Sequence, residues 1–306
     1  VEKQLGAATE TDQRFVSEAA AHLLRAGGKR FRPIVVLLAA ELGDPTAPDV
    51  VPAAVVVELT HLATLYHDDV MDEASLRRGA PTANARWDNS IAILIGDYLF
   101  AGASTVVADL GPDAVRIQAA TFSRLVQGQI RETLGPADGD DPLAHYLDVV
   151  ADKTGSLIAT AALFGARMSG ASPEVEHLIT RFGEKIGTAF QLSDDVIDIA
   201  SDEGDSGKTP GTDLREGVPT LPTLFAQRST DPADARLLSL LARPITDDAE
   251  VDEALALLRA HSCVDEARAF VRREADEARA MLDALDDVPA RRAFASLCDL
   301  VVTRLG

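Results

Sequence analysis

Apolar residues recur along this chain at steps of three and four. From Pro52 to Glu73, Leu59, Leu62 and Tyr66 keep that rhythm behind a helix-compatible proline, so the spacing predicts one long core helix ending near its aspartates. The stretch from Glu174 to Ala200 repeats the layout, again with acidic residues towards its end. The β-branched runs Ile34-Val35-Val36 and Val55-Val56-Val57 resemble strands, but their flanks continue in helical period and both are expected to be helical. Turn signals cut the chain at Gly27-Gly28, Gly43-Asp44-Pro45, Gly79-Ala80-Pro81, Gly111-Pro112 and Gly135-Pro136, and later at Ser169-Gly170, Gly217 to Pro222 and Asp231-Pro232. Segments of helical length lie between the cuts, and no linker-like or low-complexity segment marks a boundary. The expectation is an all-α fold, one domain over residues 1–306.

Composition supports helices. The 306 residues are 46% hydrophobic but only 5% aromatic, with alanine and leucine dominant. A formal charge of −20 argues against a nucleic-acid partner and against docking on an anionic membrane. Cys263 and Cys298 form no disulfide framework, which favours a reducing cytoplasm. Val1-Glu2-Lys3-Gln4 has no signal-peptide pattern and no stretch approaches eighteen uninterrupted apolar residues, so no membrane span is expected. Because the first residue is Val1, a short upstream segment is expected to be missing.

Within the helical frame, the pattern Asp-Asp-x-x-Asp occurs twice, at Asp68-Asp69-Val70-Met71-Asp72 and at Asp194-Asp195-Val196-Ile197-Asp198. The outer carboxylates of each stand four apart, hence on one helical face about a turn from each other. Such clusters repel unless a cation bridges them, and oxygen-only ligation suits a hard ion, above all Mg²⁺. Mg²⁺ takes few protein carboxylates and completes its shell with water and phosphate oxygens, so two clusters imply a phosphorylated substrate. His61, seven before Asp68, and Gln191, three before Asp194, share the same stripes. Read alone, each is as readily a core hydrogen-bonding residue.

Cations are placed to match. The turn Gly27-Gly28-Lys29-Arg30-Phe31-Arg32-Pro33 offers three positive charges and exposed backbone N–H groups for a diphosphate, with Pro33 closing it. Arg77-Arg78-Gly79 follows the first cluster by a few residues, and arginine binds phosphate bidentately. Lys153-Thr154-Gly155 falls in an expected helix, and Lys208 in the glycine-rich stretch Ser206 to Gly211. That stretch lacks the spacing of a nucleotide-binding P-loop, which argues against ATP. There is no zinc spacing and no nucleophile elbow.

Taken in order, GGKRFRP, ELTHLATLYHDDVMDEASLRRG, GDYLF at Gly96 to Phe100, Lys153-Thr154-Gly155, FQLSDDVID, Gly207-Lys208 and DLREGVPTLP resemble the trans-type isoprenyl (polyprenyl) diphosphate synthases, from about Gly27 to Pro222. The resemblance implies a single large helical bundle of the isoprenoid synthase type with a central active-site cavity. It implies condensation of isopentenyl diphosphate with an allylic diphosphate to an all-trans polyprenyl diphosphate. It places Gly28, Lys29, Arg32, His61 and Arg78 on isopentenyl diphosphate, and Arg77, Lys153, Thr154, Gln191 and Lys208 on the allylic substrate. Asp68, Asp72, Asp194 and Asp198 would ligate Mg²⁺, three ions with substrate bound. Asp68, Asp72, Arg77, Lys153 and Lys208 would act on the departing diphosphate. A homodimer is implied on the same ground. One departure is Val218, where many relatives carry a lysine after Glu216-Gly217.

In the resemblance, product length is set by a tunnel beneath the first motif. Ala63, Thr64 and, deeper, Thr60 are small, which favours a product of geranylgeranyl size or longer, hepta- to decaprenyl; Leu99 and Phe100 are the alternative floor. A class I terpene cyclase would share an aspartate motif but has no reason to keep GGKRFRP and Arg78. A non-catalytic subunit would lose a motif, and both are intact here.

Overall fold

The computed structural model describes residues 1–200 and 211–305. Among them the fold is all-α, as the periodicity predicts, apart from a two-residue hairpin pairing Leu76 with Pro81 and Arg77 with Ala80. Two compact units are distinguished: residues 1–124 with 157–183, and residues 125–156 with 184–306.

The first unit is organised around the helix Val50–Met71, which is apolar on nearly all sides and therefore buried along most of its length. It packs against the helix Asn89–Asp109 through Gly96, where an added Cβ would lie 2.2 Å from His67 Nε2, so only glycine permits the approach. Leu59, Leu62, Tyr66, Ile95 and Leu99 fill the shared core. The Tyr66 hydroxyl donates to the Ala19 carbonyl (2.6 Å) and accepts from Leu23 N–H (3.2 Å), pinning the N-terminal helices to that core. Ile34-Val35-Val36 lies in a helix, Phe31–Ala40, as expected. Pro33, however, sits inside that helix's first turn instead of closing the loop before it. A proline costs little there, because the first-turn N–H groups have no intrahelical partner.

The second unit buries Ile199, Leu214, Leu240, Ile245, Leu258 and Val264 together. Its second aspartate cluster ends the helix Pro173–Ala200. Lys153-Thr154-Gly155 is helical, but in a π turn, Ala151–Gly155, inserted between the helices Pro142–Val150 and Ser156–Met168. Such turns carry one extra residue and are frequent at functional sites.

The expectation of no membrane span rested on uninterrupted apolar runs. Taken over windows that tolerate two charges, Val50–Met71, Asn89–Asp109 and Pro142–Met168 are long and apolar enough to cross a membrane by length and composition. The protein core accounts for the first and third, which are 72% and 78% buried. Asn89–Asp109 is only 33% buried and leaves Ile93 and Leu94 exposed.

Candidate active site

In the first unit, one turn, one helix and one hairpin bring a group of charged and titratable side chains together. Arg30 caps the Phe31–Ala40 helix in a left-handed conformation (φ 48°), and its guanidinium donates to the carbonyls of Gly27 (3.1 Å) and Leu24 (3.0 Å), to Glu58 (3.3 Å) and to Glu2 (2.8 Å). Arg30 is thus the fastener of the glycine turn, which leaves Lys29 and Arg32 as its ligand-facing candidates. Lys29 is exposed, with no ion pair among the described residues. Arg78 and Gly79 form the hairpin turn, both at positive φ (54° and 74°), and this geometry directs Arg78 back to the carbonyls of Leu23 (2.9 Å) and Gly27. Gly28 (φ 136°) lies under that guanidinium: an added Cβ would sit 2.9 Å from both Arg30 and Arg78.

Glu58, 2% exposed, is the counter-charge inside this group. Burial raises its pKa, although Arg32, Arg30 and Arg78 oppose the rise. Arg32 is brought down to about 10, by burial first, with Arg78 adding to the fall and Glu58 and Asp68 opposing it. Its Nε is buried and has no hydrogen-bond partner. The pKa of His61 falls well below the ordinary value through burial and then through Arg32, Arg78, Arg77 and Arg30, so the imidazole is neutral near pH 7. A desolvated donor without a partner is costly, and in the midst of three other arginines it fits an anion that supplies the missing acceptor.

The first aspartate cluster divides its labour. Asp69 is fully buried and pairs with Arg77 Nε, and Asn84 Nδ2 donates to its backbone carbonyl (3.1 Å). Burial raises the pKa of Asp69 against the pull of Arg77. Asp68 is half-buried and Asp72, the C-cap, is exposed; the Asp72 N–H donates to the Asp68 carbonyl (2.8 Å). Arg77, assigned by resemblance to the allylic substrate, here holds the central aspartate. Of the expected tunnel residues, Ala63 is closed into the core cluster with Leu99, whereas Thr64 is half-buried and donates to the His61 carbonyl (2.8 Å). Thr60 is buried and accepts from Gln118 (3.3 Å). Ala63 and Thr60 are thus both packed into the core, and Thr64 is the least buried of the three.

In the second unit the central aspartate is again turned inward. Asp195 accepts from the Tyr146 hydroxyl, from Gln191 Nε2 (3.2 Å) and from Leu221 N–H (3.5 Å). Burial pushes it up to about 7 despite those donors, and Tyr146 is raised well above its ordinary value by burial and by Asp195. Gln191 also accepts from Thr154 (3.3 Å), so its amide is engaged at both ends. Lys153 pairs with Glu132 (2.6 Å). Arg304, at the end of the chain's last helix, donates to Asp194 and Ser193 (3.3 Å) and lies over the Phe190 ring at 4.4 Å. Asp198 is largely buried. Lys208 lies outside the described residues.

Tyr146, Arg304, Glu132 and Glu58 are the site residues the spacing argument passed over. Glu58 alone had a local signal, a carboxylate within VVVELTHL three residues before His61.

The polyprenyl synthetase family model matches residues 13–258. The chain belongs to that family. It is 52% identical over 307 residues to a nonaprenyl diphosphate synthase of Mycobacterium tuberculosis, covering 100% of this chain and 92% of that protein. A geranylgeranyl pyrophosphate synthase of Corynebacterium glutamicum, solved with calcium and isoprenyl diphosphate, is 48% identical with TM-score 0.88, over 100% of this chain and 94% of that one. A decaprenyl diphosphate synthase of Rhodobacter capsulatus is 32% identical with TM-score 0.91, over 99% and 94%. This polyprenyl synthetase is accordingly a prenyltransferase with the all-α isoprenoid synthase fold. Its family membership and the calcium-bound relative make a divalent metal part of its chemistry. Among the described residues no three His, Cys, Asp or Glu side chains cluster as a metal cage. The donor set fits an ion that shares its shell with water and phosphate, since the outer pair Asp68 and Asp72 offers only carboxylate oxygens while Asp69 is committed to Arg77.

Proposed function

We propose that this synthetase joins isopentenyl diphosphate to an allylic diphosphate and repeats the step to an all-trans product of geranylgeranyl size or longer, hepta- to decaprenyl favoured. The observation that carries the reading is the enclosed, unpartnered Nε of Arg32 beside a neutral His61. In this reading Lys29, Arg32, His61, Arg78 and the backbone at Gly28 hold isopentenyl diphosphate. The neutral imidazole contributes an N–H donor without adding to the crowd of positive charge. Asp68, Asp72, Asp194 and Asp198 would hold Mg²⁺, three ions with substrate bound. Bound there, Mg²⁺ would neutralise charge on the departing diphosphate. Lys153, Thr154 and Lys208 would face the same allylic diphosphate, with Arg77 steadying Asp69.

The allylic C–O bond breaks, the isopentenyl double bond forms the new C–C bond, and a proton leaves the adjoining carbon. No strong base is evident among the motif residues, so in this reading the released diphosphate would take that proton. The basic residues contribute by fixing the diphosphate so that the double bond meets the reacting carbon, and the aliphatic walls exclude water that would trap the cation. The synthetase acts as a homodimer in this reading, supported by the thinly covered apolar helix Asn89–Asp109.

The test is product analysis with isopentenyl diphosphate, Mg²⁺ and dimethylallyl, geranyl or farnesyl diphosphate, with and without chelator. Elongation past twenty carbons that chelator abolishes supports the reading. Arrest at fifteen carbons refutes the length, and a cyclic hydrocarbon made without isopentenyl diphosphate refutes the reaction. Thr64→Phe should shorten the product, while Ala63→Phe should chiefly lower stability, by about 1–3 kcal/mol for overpacking.

A further inference from the structure

The first unit holds a basic cavity whose side chains take no part in the site above. It has a volume of about 700 Å³ and is lined by Arg14, Arg25, Arg86, His22 and Glu18, with Ala26 and Ala80 in its wall. In a chain of net charge −20, three arginines against one carboxylate is a local reversal of sign. Only Arg86 is neutralised, by Glu18 at 2.6 Å. Among the described residues the side chains of Arg14 and Arg25 have neither an ion pair nor a hydrogen bond. His22 bridges the Pro81 carbonyl (2.7 Å) and Arg86 (3.3 Å), so the hairpin strand Ala80–Pro81 and the cationic wall form one connected structure. Trp87 lies against it, with the Arg86 guanidinium 4.5 Å from its ring and the His22 ring at 5.2 Å; Phe15, 45% exposed, meets its edge at 5.9 Å.

We propose that this cavity is a second anion site that takes a diphosphate group, held between Arg14 and Arg25. Guanidinium forks grip phosphate oxygens in pairs, and two uncommitted forks on one cavity suit a group with two phosphates better than a single small anion. The diphosphate is either free or the head of a prenyl ester, whose chain would lie along Phe15 and Trp87. The inference does not rest on the proposed reaction, because none of these residues is assigned to it. Ala26 and Ala80 adjoin Gly27 and Gly79, so an occupant would lean on the turn and hairpin that present Lys29 and Arg78.

Trp87 is the single tryptophan, which makes the test direct. Its fluorescence is followed while inorganic diphosphate or geranyl diphosphate is added to the full chain in excess chelator, with inorganic phosphate as the comparison. The expected result is a saturable change with inorganic diphosphate, geranyl diphosphate or both, about tenfold or more weaker in Arg14→Gln/Arg25→Gln. Both residues are exposed and unpaired, so the variant should fold as the parent does, which circular dichroism checks. Saturation with inorganic diphosphate identifies the free anion as sufficient, and saturation with the ester alone identifies the prenyl head. No saturable change, or binding unaltered in the double variant, or equal response to inorganic phosphate, overturns the proposal.

Discussion

The two aspartate clusters have the same five-residue pattern and different surroundings. In both, the central carboxylate is turned into the protein and is held by hydrogen bonds there. Asp69 is held by a cation, Arg77, whereas Asp195 is held by neutral donors, the Tyr146 hydroxyl, the Gln191 amide and the Leu221 N–H. The cation keeps charge on Asp69 worth having. Neutral donors offset burial less completely, and Asp195 is pushed up to about 7. The outer residues differ as well. Asp68 and Asp72 lie at the end of a helix, Asp68 near the Arg32 group, while Asp194 is covered by Arg304. In the proposed reading the first pair has basic residues already beside it, and the second has an arginine to displace before it takes a metal.

The largest effect that comparison predicts is in turnover. Asp68→Asn or Asp72→Asn should lower kcat by about 10²–10³, the cost typical of removing one preorganised electrostatic contact to a transition state. Asp194→Asn should lower it less and shift mainly the Mg²⁺ dependence, because Arg304 already screens that carboxylate. Steady-state rates across a Mg²⁺ titration decide it, and equal losses of kcat at both clusters would break the asymmetry.

Stability should discriminate between the central residues. Asp69→Asn leaves Arg77 facing an uncharged amide and removes a fully buried carboxylate, with an expected loss of about 1–3 kcal/mol. Asp195→Asn keeps an oxygen for Tyr146 and Leu221, and should cost less than about 1 kcal/mol near pH 7. Urea unfolding of the two variants is the measurement.

The pH dependence follows from the same contrast. Asp195 has a folded pKa, about 7, above that of an unfolded aspartate, about 3.9. Between those values the folded state holds the proton more tightly than the unfolded state, so the wild type loses stability from this group as pH rises from about 4 to 7. Asparagine does not titrate. The stability of Asp195→Asn relative to wild type should therefore climb over that window and level off above it. Unfolding midpoints at pH 5, 6, 7 and 8 test the trend, and a flat difference would place an ionised Asp195 in the fold.

The two clusters also show what periodicity reveals. Helical phase gave the helices Val50–Met71 and Pro173–Ala200 and their buried faces, because these are relations within one helix. It misplaced Pro33, since a proline that ends a loop and one in a first helical turn look alike in sequence. It had no access to the Ala151–Gly155 π turn, where one extra residue per turn leaves no compositional trace. It also missed the Leu76–Pro81 hairpin, whose turn is made by Arg78 and Gly79 in place of the usual Asn-Gly. Tyr146 and Arg304 stand 49 and 110 residues from the aspartates they bond, and no local pattern carries such pairings. Gln191 was on the correct stripe, yet it is the bridge between Thr154 and Asp195, a role that spacing alone left open.

The smallest effect concerns Arg304 itself. Arg304→Gln removes the charge over Asp194 and the guanidinium over Phe190 but leaves the helix in place, so stability should change by about 1 kcal/mol or less, as for a partly exposed pair. What should move is the cation requirement: with no guanidinium to displace, the Mg²⁺ concentration for half-maximal rate should fall by about three- to tenfold, while the rate at saturating Mg²⁺ stays near wild type. If Arg304 instead assists the bound substrate, the half-saturation will hold steady and the saturated rate will drop. Rate against Mg²⁺ at fixed substrate separates the two outcomes, and the second would make the C-terminal helix part of the catalytic apparatus and not its cover.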